Sequence, residues 1–159
     1  MAKFIFNGIN EYIAELQSLE KNTSPAIGKA IYNGAGWVAD CIREAVLMLP
    51  VDPRVYVNDE RWGIHPDQKE GLLDGLGISK LRNDNGYLNV KIGFDGYNKI
   101  QTERWPNGQP NVMVARATES GTSFLPKFGT ISQTVRESRR ECERVMRETI
   151  DEEIQKITK

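Results

Sequence analysis

Asn83-Asp84-Asn85-Gly86-Tyr87-Leu88-Asn89-Val90-Lys91-Ile92-Gly93-Phe94 is the stretch that separates a mixed fold from a bundle of helices. Its first four residues are a turn signal, dense in side chains that tolerate tight backbone angles. From Tyr87 the pattern has a period of two: Leu88, Val90, Ile92 and Phe94 fall on one face, Tyr87, Asn89, Lys91 and Gly93 on the other. Pairing with Gly77–Leu81 across the turn gives a hairpin. Asp95-Gly96-Tyr97-Asn98 then ends the strand.

Helical periodicity flanks this hairpin on both sides. Thr23 or Ser24 can cap a helix with Pro25 in its first turn, where a missing N–H costs nothing. Ile27, Ile31, Ala35, Val38, Cys41, Ile42, Ala45 and Leu49 form its apolar stripe up to Pro50. Ala30, Gly34, Ala35 and Gly36 line its middle. Each interior glycine costs about 1 kcal/mol relative to alanine, so a close neighbour is implied, either a sheet or another subunit. A last helix opens at Thr130 or Ser132 and buries Val135, Cys142, Val145, Met146, Ile150, Ile154 and Ile157. Its outer face carries opposite charges four apart, at Arg139/Glu143, Glu143/Arg147, Arg144/Glu148, Arg147/Asp151 and Glu152/Lys156.

Shorter elements fill the remainder. Lys3–Phe6 can add an edge strand, and Ile9, Tyr12, Ile13, Leu16 and Leu19 space a short helix from Gly8 to about Glu20. Val112–Glu119 reads as a short helix with Val112, Ala115, Arg116 and Glu119 on one face. Val51–Glu70 and Lys99–Gln109 read as long polar loops, the first leading into the sheet at Gly71–Ile78. The expected class is α+β: one domain over 1–159, with a small antiparallel sheet as the platform for two long amphipathic helices and long polar loops.

Composition narrows the partners. A chain of 159 residues with 39% apolar and 27% charged residues can bury a core and is far from a disordered composition. A net charge of −1 argues against a surface built on phosphate contacts. No apolar run approaches the roughly 18 residues of a membrane span, and the first residues lack a signal-peptide pattern, so a cytoplasmic site of synthesis is expected. Cys41 and Cys142 are expected as buried reduced thiols.

Catalytic patterns are missing. His65 is the single histidine, short of the three or four ligands a zinc site takes, and no nucleophile elbow accompanies it. Gly71, Gly75 and Gly77 lack the Gly-Lys-Ser/Thr ending of a phosphate loop and read as sites of tight turning or close backbone approach. Asp52, Asp59, Glu60, Asp67 and Glu70 lack the alternate spacing of a calcium loop. The expectation is a binding or architectural protein with no cofactor and no metal. An enzyme is the least favoured reading.

Five stretches in order carry a resemblance: Phe4–Ile13, the Gly-Ala helix Ile27–Val46, Gln68–Leu73 with Gly77-Ile78, Val90–Asn98, and Gly108–Ser123 with its Glu119-Ser120-Gly121-Thr122 segment. Together they resemble the head–tail joining or tail-completion family of long-tailed double-stranded-DNA bacteriophages. The chain departs from that pattern at Pro126-Lys127-Phe128-Gly129-Thr130, where members commonly have Pro-Phe and then Arg-Pro-Ala at the start of the last helix.

The resemblance implies a minor structural protein of a phage or prophage. Copies would form a homo-oligomeric ring, commonly six- or twelve-fold, between the capsid connector and the tail tube. DNA would pass as cargo, no membrane would be involved, and the protein would reside at the head–tail junction after assembly in the host cytoplasm. A tail terminator ring is the alternative, and a DNA-binding accessory protein a second. The interface candidates are Tyr56, Trp62, Trp105, Glu119, Gly121, Thr122 and Phe124. Tyr56, Trp62 and Trp105 either anchor neighbours or fold back on the core.

Overall fold

A computed structural model describes residues 23–54 and 60–157. The elements, in chain order, are α1 (Thr23–Leu47), α2 (Pro66–Gly75), β1 (Leu76–Ile78), β2 (Arg82–Asp84), β3 (Tyr87–Asn89), β4 (Ile92–Phe94), α3 (Asn111–Ser120) and α4 (Thr130–Ile157). The class is α+β. The expected strand at Lys3–Phe6, the helix from Gly8 to Glu20, and Tyr56 lie outside the described residues.

The central packing is helix on helix. Ile27, Ala30, Ile31, Ala35, Val38, Ile42 and Val46 of α1 are buried together with Cys142, Met146 and Ile150 of α4. A Cβ at Gly34 would fall 2.5 Å from Met146 Cγ and 3.1 Å from Cys142 Sγ. The close neighbour implied by that glycine is therefore α4 of the same chain. Small residues let the two axes approach, as in other close helix pairs. Polar ties finish the seam: Asn33 Nδ2 donates to Thr149 Oγ1 at 3.1 Å, and Lys29 Nζ lies 2.6 Å from Glu153 Oε1.

The strands pack against this helix pair through Leu76, Ile78, Ile92 and Phe94, as expected, and the two long helices also bury much of their apolar surface against each other. The stripe of α1 differs in detail. Ala39 and Val46 are buried, whereas Cys41 and Ala45 are only partly so. Cys142 is buried as expected, and burial pushes its thiol up to about 12. Both cysteines are free.

The hairpin forms, but as two ladders. β1 pairs with β4 (Leu76↔Phe94, Gly77↔Gly93, Ile78↔Ile92), and β2 pairs with β3 (Arg82↔Asn89, Asn83↔Leu88, Asp84↔Tyr87). Three residues on the outgoing strand (79–81) face two on the return (90–91). That extra residue is a bulge, and it shifts the register by one. A one-residue slip exchanges faces. Leu76 and Ile78 pack on the core, then Leu81 does, while Lys80 is exposed. Without the bulge Lys80 would face the helices. Ser79 holds the step, donating its N–H to Lys91 O and accepting Lys91 N–H at its Oγ. At the far end Asn85 and Gly86 adopt φ of 55° and 94°, the two-residue turn that matches strand twist.

Helix α2 overturns the expectation that Val51–Glu70 is loop throughout and Gly71–Ile78 begins the sheet. His65 Nδ1 accepts Asp67 N–H, Gln68 Oε1 accepts His65 N–H, and Pro66 occupies the first turn. This is a reciprocal cap around an N-terminal proline. His65 is thus a capping residue. Leu72 is fully buried, and Lys69 Nζ reaches the α1 carbonyls of Leu47 and the following Leu49, at 2.5 and 2.9 Å. A cation at those unpaired carbonyls closes the end of α1.

Helix α3 appears where expected but with a different inner face. Asn111, Val114, Ala115 and Thr118 are buried, while Val112 and Arg116 are exposed. Asn111 belongs inside because its Nδ2 donates to Asp95 O at 2.8 Å and its N–H to Gly96 O at 3.0 Å.

Candidate interaction surface

The Glu-Ser-Gly-Thr segment folds as a brace between α3 and α4. Glu119, near the end of α3, accepts Ile131 N–H at 2.5 Å, Ser132 N–H at 3.1 Å and Ser132 Oγ–H at 2.6 Å. The expected caps, Thr130 and Ser132, are replaced by this carboxylate from the preceding helix. A carboxylate at a helix N-terminus satisfies orphan amides and meets the positive end of the dipole. Gly121 takes φ of 73°, and a Cβ there would lie 2.9 Å from Lys127 N. Thr122 Oγ1 accepts the amides of Phe124 and Leu125, and its own N–H bonds Leu125 O. The tight turn buries Leu125 and presents Phe124 to solvent.

A second segment meets that turn. Val51 and Ile64 form a parallel bridge, with Asp52 N–H donating to Ile64 O and Ile64 N–H to Pro50 O. Asp52 is fully buried and gripped by Arg54, whose Nε and Nη2 approach both carboxylate oxygens. Those hydrogen bonds hold the Asp52 carboxyl down at about 2, against an ordinary value of 3.8. Arg54 also lies 4.4 Å over the Trp62 ring, and Trp62 Nε1 donates to Val51 O. Arg61 N–H then donates to Phe124 O at 2.7 Å, joining the two segments. Trp62 (56% exposed) and Phe124 (48%) are therefore on neighbouring, mutually bonded segments.

A pH dependence follows from Asp52. Its folded pKa is depressed, so its contribution to stability is complete above about pH 4 and is lost as pH falls towards 2. Asp52→Asn should flatten that part of the stability profile, measured by urea unfolding between pH 2 and 5. An unchanged slope in the variant would refute the assignment.

Trp105 lies apart. It is half-buried in a loop that closes on itself, with reciprocal N–H···O bonds between Thr102 and Trp105 and a bond from Gln109 N to Ile100 O. Arg104 sits 5.6 Å from its ring. Of the expected interface residues, Trp62, Glu119, Gly121, Thr122 and Phe124 thus belong to one connected region. Glu119, Gly121 and Thr122 have intrachain roles there. Of the expected residues, Trp62 and Phe124 present large exposed apolar surface, and Val51, whose carbonyl accepts the Trp62 indole N–H, is also exposed. The fixed positions of these side chains depend on backbone hydrogen bonds that leave no periodic trace in the sequence.

Between β1, β4, α3 and the start of α4 runs a groove of about 510 Å³. Ile42, Ile78, Ile92, Phe94 and Ala115 supply apolar walls, with Arg82, Lys91 and Arg116 among its polar lining. Among the described residues no group of three or more His, Cys, Asp and Glu is placed to hold a metal ion, and no helix is long and apolar enough to cross a membrane. No family model, curated protein or solved structure matches this chain.

Proposed function

We propose that this protein is a structural subunit that works through its surfaces, assembling copies around an axis. More particularly, we infer a head–tail joining or tail-completion protein of a long-tailed phage or prophage. Its ring would link the capsid connector to the tail tube and let DNA pass. The family resemblance supplies that identity. The observation that carries the surface reading is the Arg61–Phe124 backbone bond, which joins the two braced segments that carry exposed Trp62 and Phe124. Rigid aromatic anchors lose little entropy on docking, which is why a few of them dominate interfaces. Near-neutral charge suits a ring that must not retain DNA. A closed ring needs a head-to-tail contact between unlike faces of the subunit.

Phe124→Ala tests the surface directly. Its side chain is half exposed, so melting temperature should move little while self-association or association with tail proteins weakens about tenfold or more. Sedimentation velocity and a thermal melt measure both. A large fall in melting temperature with unchanged association would show a packing role instead. Closed rings in electron micrographs are the expected assembly. A monomer at every concentration, alone and with connector or tail proteins, would refute the proposal. The tail terminator remains the second reading of the same ring, and particles lacking the protein distinguish them: unjoined heads with normal tails for joining, overlong tails for termination.

A further inference from the structure

Helix α1 carries two unlike faces. Its Ile42 points inward and lines the groove between β1, β4, α3 and the start of α4. At about 3.6 residues per turn, Trp37, Asp40, Glu44 and Leu47 lie about 140–160° round the helix from Ile42. The burial pattern agrees with that spacing. Asp40 and Glu44 are exposed, Trp37 and Leu47 are 42% and 52% exposed, and the next residue, Met48, is 84% exposed. Together they make an acidic, apolar ridge about 15 Å long on the outside of the helix. Single exposed apolar side chains are ordinary, but a tryptophan, a leucine and a methionine along one face form a patch.

The groove complements that ridge in chemistry. Its walls are apolar at Ile78, Ile92, Phe94 and Ala115, and Arg82, Lys91 and Arg116 place cations along it. Its two carboxylates are already engaged: Glu119 accepts the amides of Ile131 and Ser132, and Asp95 Oδ1 accepts Gly96 N–H. An acidic, apolar occupant therefore suits it. Opposite charges across an interface also fix register and reject wrong partners. Within one chain the ridge cannot reach the groove, because the two lie on opposite sides of the same helix.

We propose that the groove receives the Trp37–Leu47 ridge of a second copy of this chain. Trp37 and Leu47 of one copy enter between the apolar walls of the next, and Asp40 and Glu44 meet Arg82, Lys91 and Arg116. Each copy then offers its ridge forward and its groove backward. That is the head-to-tail arrangement, which closes into a ring when the rotation per step divides a full turn. This pairing rests on the ring reading above and supplies its repeating contact.

Charge reversal tests the pairing in the full-length chain by sedimentation velocity, alone and with connector and tail proteins. Asp40→Lys with Glu44→Lys, and separately Arg82→Glu with Arg116→Glu, should each weaken self-association about tenfold or more. All four side chains are exposed, so melting temperatures should move little. Mixing the two variants should restore assembly, because each ridge then meets a groove of opposite charge. Trp37→Ala should weaken self-association by a similar factor with little change in melting temperature. Self-association that survives either reversal, or reversed variants that do not recover on mixing, overturns the pairing and leaves the ring reading standing. So does a groove reversal that abolishes binding of a connector or tail protein while copies still associate. A chain that stays monomeric in every mixture overturns both.

Discussion

Gly75→Ala is expected to destabilise the protein by about 3 kcal/mol. Gly75 is the last residue of α2, and a Cβ built on it would lie 2.2 Å from Asp95 O and 2.7 Å from Asn111 Nδ2. Those two atoms are bonded to each other, and Asp95 N–H is bonded to Gly75 O. The added carbon must push a backbone carbonyl, so α2, β4 and α3 would separate at their common junction. Gly71, one turn earlier, faces Asn98 and Asn111 with similar closeness. Gly77→Ala is the control. It has an ordinary φ and no atom within 4 Å of the new carbon, so its stability should stay within about 0.5 kcal/mol. Urea unfolding of both variants checks the pair. Equal stabilities would refute the junction argument.

Glu119→Ala should cost about 2 kcal/mol, by removing a charge-assisted cap from the longest of the described helices. Ile131 and Ser132 lose their acceptor, and the link between α3 and α4 goes with it. Glu119→Gln retains an accepting oxygen and should recover about half of the loss. Amide exchange at Ile131 and Ser132 gives a local reading, faster in the alanine variant than in the glutamine one. Should Glu119 serve only an intermolecular contact, both variants would unfold like the parent and differ from it in association alone.

Much of the architecture was legible along the chain because its signals are local. The apolar stripe of α1, the Asn85-Gly86 turn and the alternation from Leu88 to Phe94 each appear within one element's own period. Helix α2 was not legible. It buries Gly71 and Leu72, and its stability rests on the His65–Gln68 cap and on Lys69 reaching α1, neither of which makes a stripe. The inner face of α3 was misread for a related reason. Asn111 is drawn inside by the Asp95 and Gly96 carbonyls, a preference that no hydropathy pattern encodes.

The candidate surface divides along the same line. Sequence alone determined the mixed class, the two long amphipathic helices and the hairpin turn, since each follows from residue type and spacing. Tertiary structure alone decided that Gly34 receives α4, that the bulge at 79–81 turns Leu81 inward, that Glu119 caps α4 and that the Arg61 amide ties the Trp62 segment to Phe124. The physical reason is range. Periodicity and turn chemistry act over a few residues, whereas close packing and hydrogen bonds between distant segments exist only once the chain has closed on itself.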